Sequence, residues 1–462
     1  MPLSLTLDQV AKLAPDASSL AAGRKLAAGR DWRAVGHDER ALWGECQGSA
    51  LYQVRIDLGD LTAKCSCPSR KFPCKHALGL MLKAAADAAS IGTAAAPDWV
   101  EEWLARREAA AEKREQKKTV AAAAPIDEKA QARRAEKRAA RVDEGLAALD
   151  LWIADLVRNG LATIADQGPA PWHAQAARMV DAQAPGIAGR LRRIAGVPRS
   201  APDWARRVLA ELARISLLTE AYTRLETLDP PLRDDVRALI GWTLKDDEVV
   251  ARGDAVDDRW LVIGQRTEDE DRLRVQRSWL LGLEHGRYAL VLQFAVGTAP
   301  FAHALIPGTV IDARLRYWPA AYPSRALIEE RRGTEPWQGA QRRSPDSSQG
   351  AQRRSPDSSQ GAPPAFDSFD ELLRAGAAAL AAQPWMESIP CVVRALRPAR
   401  ADADRWLLVD TTGAALPLAS RDHRRLAALS GGHPIAVAVE WDGDTLLPLA
   451  AIVDGRLEAL VA

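Results

Sequence analysis

Four residues within twelve positions have the side chains and spacing to hold a metal ion. Cys65, Cys67, Cys74 and His76 form the pattern C-x-C, six residues, then C-x-H. Structural Zn2+ takes four nitrogen or sulfur ligands in a tetrahedron, and three thiols with one imidazole supply that set. Pro68 and Pro73 limit the freedom of the connecting loop. A helix is expected to begin near Cys74, where a helix N-terminus favours thiolate over thiol. Three thiolates and a neutral imidazole around Zn2+ carry a net −1, and Lys64, Arg70, Lys71 and Lys75 lie near enough in sequence to offset it. The bland alternative is a group of reduced cysteines buried as small apolar side chains. Four ligand-type residues packed this closely and flanked by polar residues argue against it. A catalytic zinc keeps one position for water, whereas this set fills all four. One structural Zn2+ per chain is therefore expected. Cys46 is expected to be a structural thiol near the site, with a competing ligand role as the alternative.

The elements around these residues must bring the two pairs together. Residues 41–47 and 51–58 have the character of strands. In the second, Tyr52, Val54, Ile56 and Leu58 alternate with Gln53, Arg55 and Asp57, the period of a half-covered strand. A helix through ALGLMLKAAADAA follows His76, and residues 3–30 have helical character before the first strand.

The chain has 462 residues, enough for about two to four domains. The reading is a multidomain α+β protein. It begins with a small β-hairpin and helix zinc module at 1–91. A charged helical linker is expected at 92–141, with twelve basic residues against eight acidic ones from 101 to 141. Few large apolar residues follow Leu104, so this stretch is expected to be solvated rather than part of a core. Trp99 and Trp103, four apart on one helix face, are expected to dock it onto a neighbour. A helical domain at 142–241 follows from Leu146, Leu149, Ile153, Leu156 and Val157, with further helices at 172–183, 187–195, 203–228 and 232–240. A β-rich domain is expected at 242–330, with the acidic run Glu268–Asp271 as a hairpin tip. Residues 338–348 and 349–359 are identical, so 331–365 is expected to be a disordered linker with a tandem 11-residue repeat. A small α+β domain closes the chain at 366–462.

Composition excludes some functions. A net charge of +1 argues against a protein that coats nucleic acid through its overall charge. Five cysteines, an odd number with three of them within ten residues, are unlike a secreted disulfide framework. No signal peptide is expected, and no run approaches the roughly 18 apolar residues of a membrane span. A cytoplasmic location is the default. No phosphate-binding, dinucleotide-binding, metalloprotease or nucleophile-elbow motif is present, and His37, His173, His285, His303, His423 and His433 lack ligand spacing. The acid pairs Asp246-Asp247 and Asp257-Asp258 are expected in turns. An enzyme is not expected, and no catalytic residue is assigned.

The run from Trp43 to Leu58, WGECQGSALYQVRIDL, and from Cys65 to Leu80, CSCPSRKFPCKHALGL, resembles the bacterial SWIM zinc finger family. PDWVEEWLARR at 97–107 and MVDAQAPGIAGRLRRI at 179–194 resemble it too. The resemblance implies zinc at Cys65, Cys67, Cys74 and His76, and a module that binds DNA or proteins. It also suggests an ATPase-type partner. Two functions remain open: a protein-binding adaptor, and a DNA-binding factor that contacts phosphates through Lys64, Arg70, Lys71, Lys75 and the basic 106–141 region. Phe72, at the tip of the zinc loop, is a candidate for stacking on a base or for packing beneath the loop.

Overall fold

The computed structural model describes residues 6–69, 71–109, 128–165, 167–197, 203–270, 273–297, 299, 301–339, 362–402, 405–419 and 423–460. The chain opens with two helices, α1 (Leu7–Leu13) and α2 (Ala17–Ala28), rather than one. Pro15 and Asp16 divide them. The Asp16 carboxylate accepts from the Ser19 N–H at 2.7 Å and so starts α2 afresh. Strands β1 (Trp32–His37), β2 (Ala41–Gln47), β3 (Leu51–Asp57) and β4 (Ala63–Cys65) form an antiparallel meander in that order, with β1 an element the sequence reading did not include. Helix α3 (Lys75–Ala86) packs across it. Val54 and Ile56 meet Leu78, Leu80 and Met81 in one buried cluster.

Helix α4 spans residues 98–109 and corrects the expectation of a solvated linker there. Val100, Trp103 and Leu104 are buried against Ala41 and Trp43 of β2, with Trp99 packed beside them. The tryptophan pair does dock the helix onto a neighbour, because its apolar residues recur on one face. Residues 110–127 lie outside the described set. Helix α5 (Glu128–Asn159) then runs without a break from charged sequence into core sequence. Its residues Val142, Leu146, Leu149, Ile153 and Leu156 join α6 (Ala162–Ala165), α7 (Ala170–Asp181), α8 (Pro185–Ala195), α9 (Trp204–Thr223) and α10 (Pro230–Ile240) around one core.

A short helix, α11 (Asp246–Arg252), leads into a closed barrel of β5 (Ala255–Glu270), β6 (Leu273–Gly282), β7 (Tyr288–Val296), β8 (Thr309–Tyr317) and β9 (Arg325–Pro336). Around the barrel the order is β5-β6-β7-β9-β8, and the β7–β9 pair is parallel. That order, with its third and fifth strands parallel, is the topology of an OB-type barrel. The acid pairs are not in turns. Asp246 and Asp247 sit in the first turn of α11, where the helix dipole favours negative charge. Asp257 and Asp258 lie inside β5, and strand alternation sends them to opposite sides. Asp257 pairs with Arg314 and Arg332, while buried Asp258 accepts from the backbone N–H groups of Glu284 and His285 and faces His285 Nδ1 at 2.9 Å. The acidic run does lie at the closed end of the β5–β6 hairpin, where Glu268, Asp269 and Glu270 are the last paired residues of β5, up to Glu270↔Leu273, while Asp271 is outside the described residues. Residues 331–336 belong to β9 and not to a linker, held by pairing with β8. The 340–361 stretch, which contains nearly all of the tandem repeat, also lies outside the described residues.

The last unit consists of α12 (Phe369–Ala382), β10 (Ile389–Arg400), β11 (Trp406–Val409), β12 (Ala415–Pro417), α13 (His423–Ser430), β13 (Ile435–Trp441), β14 (Leu446–Val453) and β15 (Arg456–Ala459). Its six-stranded sheet, ordered β12-β11-β10-β13-β14-β15, lies against the outside of the barrel. Leu261, Ile263, Trp279 and Leu281 of the barrel share a cluster with Val392, Ala438, Leu449 and Ala450. Gly264 permits this approach, since a Cβ there would meet Leu449 Cβ at 2.6 Å. No helix among the described residues is long and apolar enough to cross a membrane.

Several long-range contacts tie the helical unit to the rest, two of them through the buried side chains of Trp385 and Asp235. Trp385 enters the helical core and donates its indole N–H to the Arg214 carbonyl at 3.1 Å. Truncating a buried Trp typically costs about 3–5 kcal/mol. Trp385→Ala should therefore raise amide exchange in α9, and unchanged exchange there would show the plug to be dispensable. Asp235 of α10 accepts from the Ala321 N–H at 2.7 Å and from the Gln383 amide at 2.6 Å. Burial pushes its carboxyl up from 3.8 to about 6. The folded state thus holds the Asp235 proton more tightly than the unfolded chain, and this contribution to stability falls as pH rises from about 4 through about 6. Thermal unfolding compared at pH 5 and pH 8 should show a smaller pH difference in Asp235→Asn than in the parent.

Candidate metal centre

The two ligand pairs sit on elements whose positions are set independently. Cys65 ends β4, which pairs with β3 through Val54↔Cys65 and Ile56↔Ala63. The turn after it is pinned to the same strand. Ser66 donates its N–H to the Gln53 carbonyl at 3.0 Å, and its hydroxyl accepts from the Gln53 N–H at 2.9 Å. This holds Cys67 beside Cys65. Cys74 is the N-cap residue of α3, and His76 lies in that helix's first turn. The helix is placed by Ala77, Leu78, Leu80, Met81 and Leu82, all buried in the module core.

The side chains converge. The three sulfurs and one imidazole nitrogen all lie within 4.8 Å of one another, and Cys65 Sγ is 3.8 Å from His76 Nδ1. Zinc–sulfur bonds of about 2.3 Å and zinc–nitrogen bonds of about 2.0–2.1 Å on a tetrahedron require ligand separations close to this. Cys74 and His76 are buried, while Cys65 and Cys67 are half-buried. The Cys74 thiol is pushed well down by its hydrogen bond with Cys65, with burial opposing, and with His76 and the Ala77 N–H adding to the effect. The Cys65 thiol is pushed up by the same contact and by burial, and burial also raises Cys67. A cluster of thiols that cannot all ionise by themselves is one that a divalent cation stabilises. The residues therefore fit Zn2+. The ion would be held by Cys65, Cys67, Cys74 and His76, and would act as a structural cross-link with no coordination position left for substrate.

Cys46 is fully buried in β2 and is not a member of the cluster. Of the candidate contact residues, Lys64 is exposed on β4, and Lys75 is exposed at the start of α3. Lys71 is paired with Asp16 at 2.8 Å. Phe72 is 43% exposed, so it is not packed beneath the loop. Arg70 lies outside the described residues. Sequence reasoning missed Tyr52 as a support for the site. Its ring lies against His76, with centroids 4.8 Å apart, and its hydroxyl meets Ser49 at 2.7 Å. The strand alternation that put Tyr52 on the face of Val54 and Ile56 was the available signal. A second group of ligand-type atoms, from Asp258, Glu284 and His285, lies on the barrel, but Asp258 is already satisfied by the turn it anchors.

Residues 52–85 match the SWIM zinc finger, and residues 137–240 match the SWIM-associated four-helix bundle domain. The chain thus carries a SWIM zinc finger and a SWIM-associated four-helix bundle domain. No curated protein and no solved structure matches it. The SWIM finger binds zinc through the one Cys3His site described above, and modules of this kind interact with proteins or nucleic acids.

Chelation tests the metal's structural role. Removing zinc with a strong chelator should free residues 63–77 to exchange their amide hydrogens and lower the melting temperature of the finger. Cys74→Ser should do the same without chelator. Protection across 63–77 that survives complete metal removal would show that the core alone holds the ligands in place.

Proposed function

We propose that this SWIM protein is a cytoplasmic, non-enzymatic adaptor that uses its zinc finger to bind another protein. The observation that carries this reading is the state of the cations around the finger. Lys71 is paired with Asp16. Arg107 is held by Asp57 and Asp60, Arg106 by Glu102, and Arg40 by Glu108. Arg55 lies over Trp99 and Trp103, with its guanidinium 5.3 Å and 5.8 Å from the two ring centroids. A surface that binds phosphates presents cations in excess of its own carboxylates. Here the basic residues at the zinc loop and α4 are largely matched by acidic neighbours. Phe72, Lys64 and Lys75 project beside the finger, and the further exposed cations of the module, Arg24, Lys25, Arg30 and Arg33, lie on α2, β1 and the turn between them. An aromatic with a polar rim is the make-up of a protein contact.

The barrel supports the same reading. OB-type barrels that bind oligonucleotides use the outer face of their second and third strands. In this chain Trp279 and Leu290 on that face are packed against the C-terminal sheet. The DNA-binding alternative keeps one favourable feature, the exposed cations Lys129, Arg133, Lys137 and Arg141 along the first half of α5.

Two measurements separate the readings. A pull-down from cell extract, with an ATPase-type protein as the first partner to look for, should recover a protein that is lost with Cys74→Ser. Recovery unaffected by that substitution would remove the finger as the contact surface. Affinity for DNA should be weak even at about 50 mM salt; tight binding that falls by orders of magnitude by about 200 mM would instead establish the phosphate-contact reading.

A further inference from the structure

Beside the finger lies a cleft of about 450 Å³. Its walls come from the first turn of α2, the β2–β3 turn, and the loop and helix start that carry Cys67 and His76. Its polar lining includes Ser18, Ser49, Tyr52, Ser69, Lys71 and Lys75. These side chains are all of donor type, and no carboxylate is among the lining residues. Ser18 already donates to Asp16, and Ser49 and Tyr52 share one hydrogen bond, which leaves the two ammonium groups, Ser69 and one of the latter hydroxyls to meet a ligand. Ammonium and hydroxyl donors converging on a small concave space match the needs of an oxyanion.

The two lysines differ in state. Lys75 is exposed and makes no salt bridge among the described residues. Lys71 is bound to Asp16, and the two side chains are 55% and 37% exposed. An exposed pair of this kind holds weakly, so an incoming oxyanion can take the place of Asp16 at little cost. Asp16 does not depend on Lys71, because it also accepts from Ser18 and from the Ser19 N–H. With Asp16 on Lys71 and a net negative finger alongside, the cleft is close to neutral. Its ligand is therefore bound modestly and in a salt-sensitive manner, as one contact within a larger interface.

We propose that this cleft receives an oxyanion-bearing side chain of a partner protein, a carboxylate or a phosphate, held by Lys75 and by Lys71 released from Asp16. The proposal rests on the adaptor reading and adds the chemistry of the partner.

The test uses the full-length, zinc-loaded protein and fluorescence anisotropy with two labelled peptides, one rich in Asp and Glu and one carrying phosphoserine. Saturable binding of at least one is expected, and which of them binds identifies the oxyanion. Lys75→Glu should weaken it by about tenfold, while Lys25→Glu on the far end of α2 should leave it unchanged. Asp16→Asn keeps a good helix cap and frees Lys71, so it should tighten binding by a few-fold. Zinc content measured for each variant reports that the finger is intact. The proposal is overturned if neither peptide saturates the parent or Asp16→Asn, or if Lys75→Glu binds as the parent does. It is equally overturned if a single-stranded oligonucleotide binds more tightly than both peptides and depends on Lys75. A protein partner captured through the finger but indifferent to Lys75→Glu would remove the cleft and leave the adaptor standing.

Discussion

The N-terminal module turns on one helix start. Cys74 caps α3 and His76 sits in its first turn, so the residues that grip the ion belong to the same helix that fills the core. Metal and hydrophobic packing therefore constrain each other. The bond energy of a structural zinc site, roughly 10–16 kcal/mol in isolated fingers, rivals the stability of a whole domain at about 5–15 kcal/mol. The constraint extends to α2, which approaches α3 through two glycines. A Cβ on Gly23 would meet Leu78 Cβ at 2.9 Å, and one on Gly79 would meet Leu26 Cβ at 3.0 Å. Asp16 begins α2 and meets Lys71 of the zinc loop in an exposed pair, so the loop that carries the ligands also lies beside the helix that rests on the ligand helix.

Beyond the finger, the organising constraint is shared cores rather than linked modules. Trp385 comes from the C-terminal unit and finishes the helical core, with Glu387 nearby on Arg190 and Arg193. Arg190 is almost wholly buried, and burial lowers its pKa, so Glu387 opposes a real desolvation cost. The barrel and the six-stranded sheet share a second core, reinforced where Tyr288 accepts the Val392 N–H on its hydroxyl at 2.9 Å. A relative motion of these units would expose apolar surface and orphan buried polar groups together. That combination is what separates a fixed interface from a hinge.

Local patterns were readable and distant partnerships were not. The ligand spacing, the alternation of β3 and the helical periods of α7 to α10 follow from neighbours in sequence, and the residues declare them. The α4 helix was harder because its Val100, Trp103 and Leu104 form a short apolar face within a charged stretch, and only β2 supplies what that face covers. Asp257 and Asp258 looked like turn residues because paired acids usually are. Their use inside β5 depends on Arg314 and Arg332 and on the turn at Glu284, all remote in sequence. The strand at 331–336 was hidden by its charge, which suits a strand whose outward side chains pair with β8 and β5, as Arg332 does with Asp312 and Asp257. Tyr52 was seen as a strand residue but not as a support for His76, because that role exists only once β3 and α3 cross.

The electrostatics of the finger bear on its choice of partner more than its overall charge does. A net charge near zero permits a strongly basic face opposite an acidic one, and long-range attraction to a polyanion would then survive. The pairing seen around β3 and α4 is instead local, with Arg40, Arg106 and Arg107 each beside a carboxylate and Arg55 over two tryptophans, so much of the field there is cancelled within a few ångströms. At physiological ionic strength, with screening over about 8 Å, little attraction reaches a distant phosphate backbone. What remains is short-range chemistry: an exposed phenyl ring, a shallow donor-lined cleft and the rigid frame that zinc gives both. Such a surface selects by contact after encounter rather than by long-range attraction.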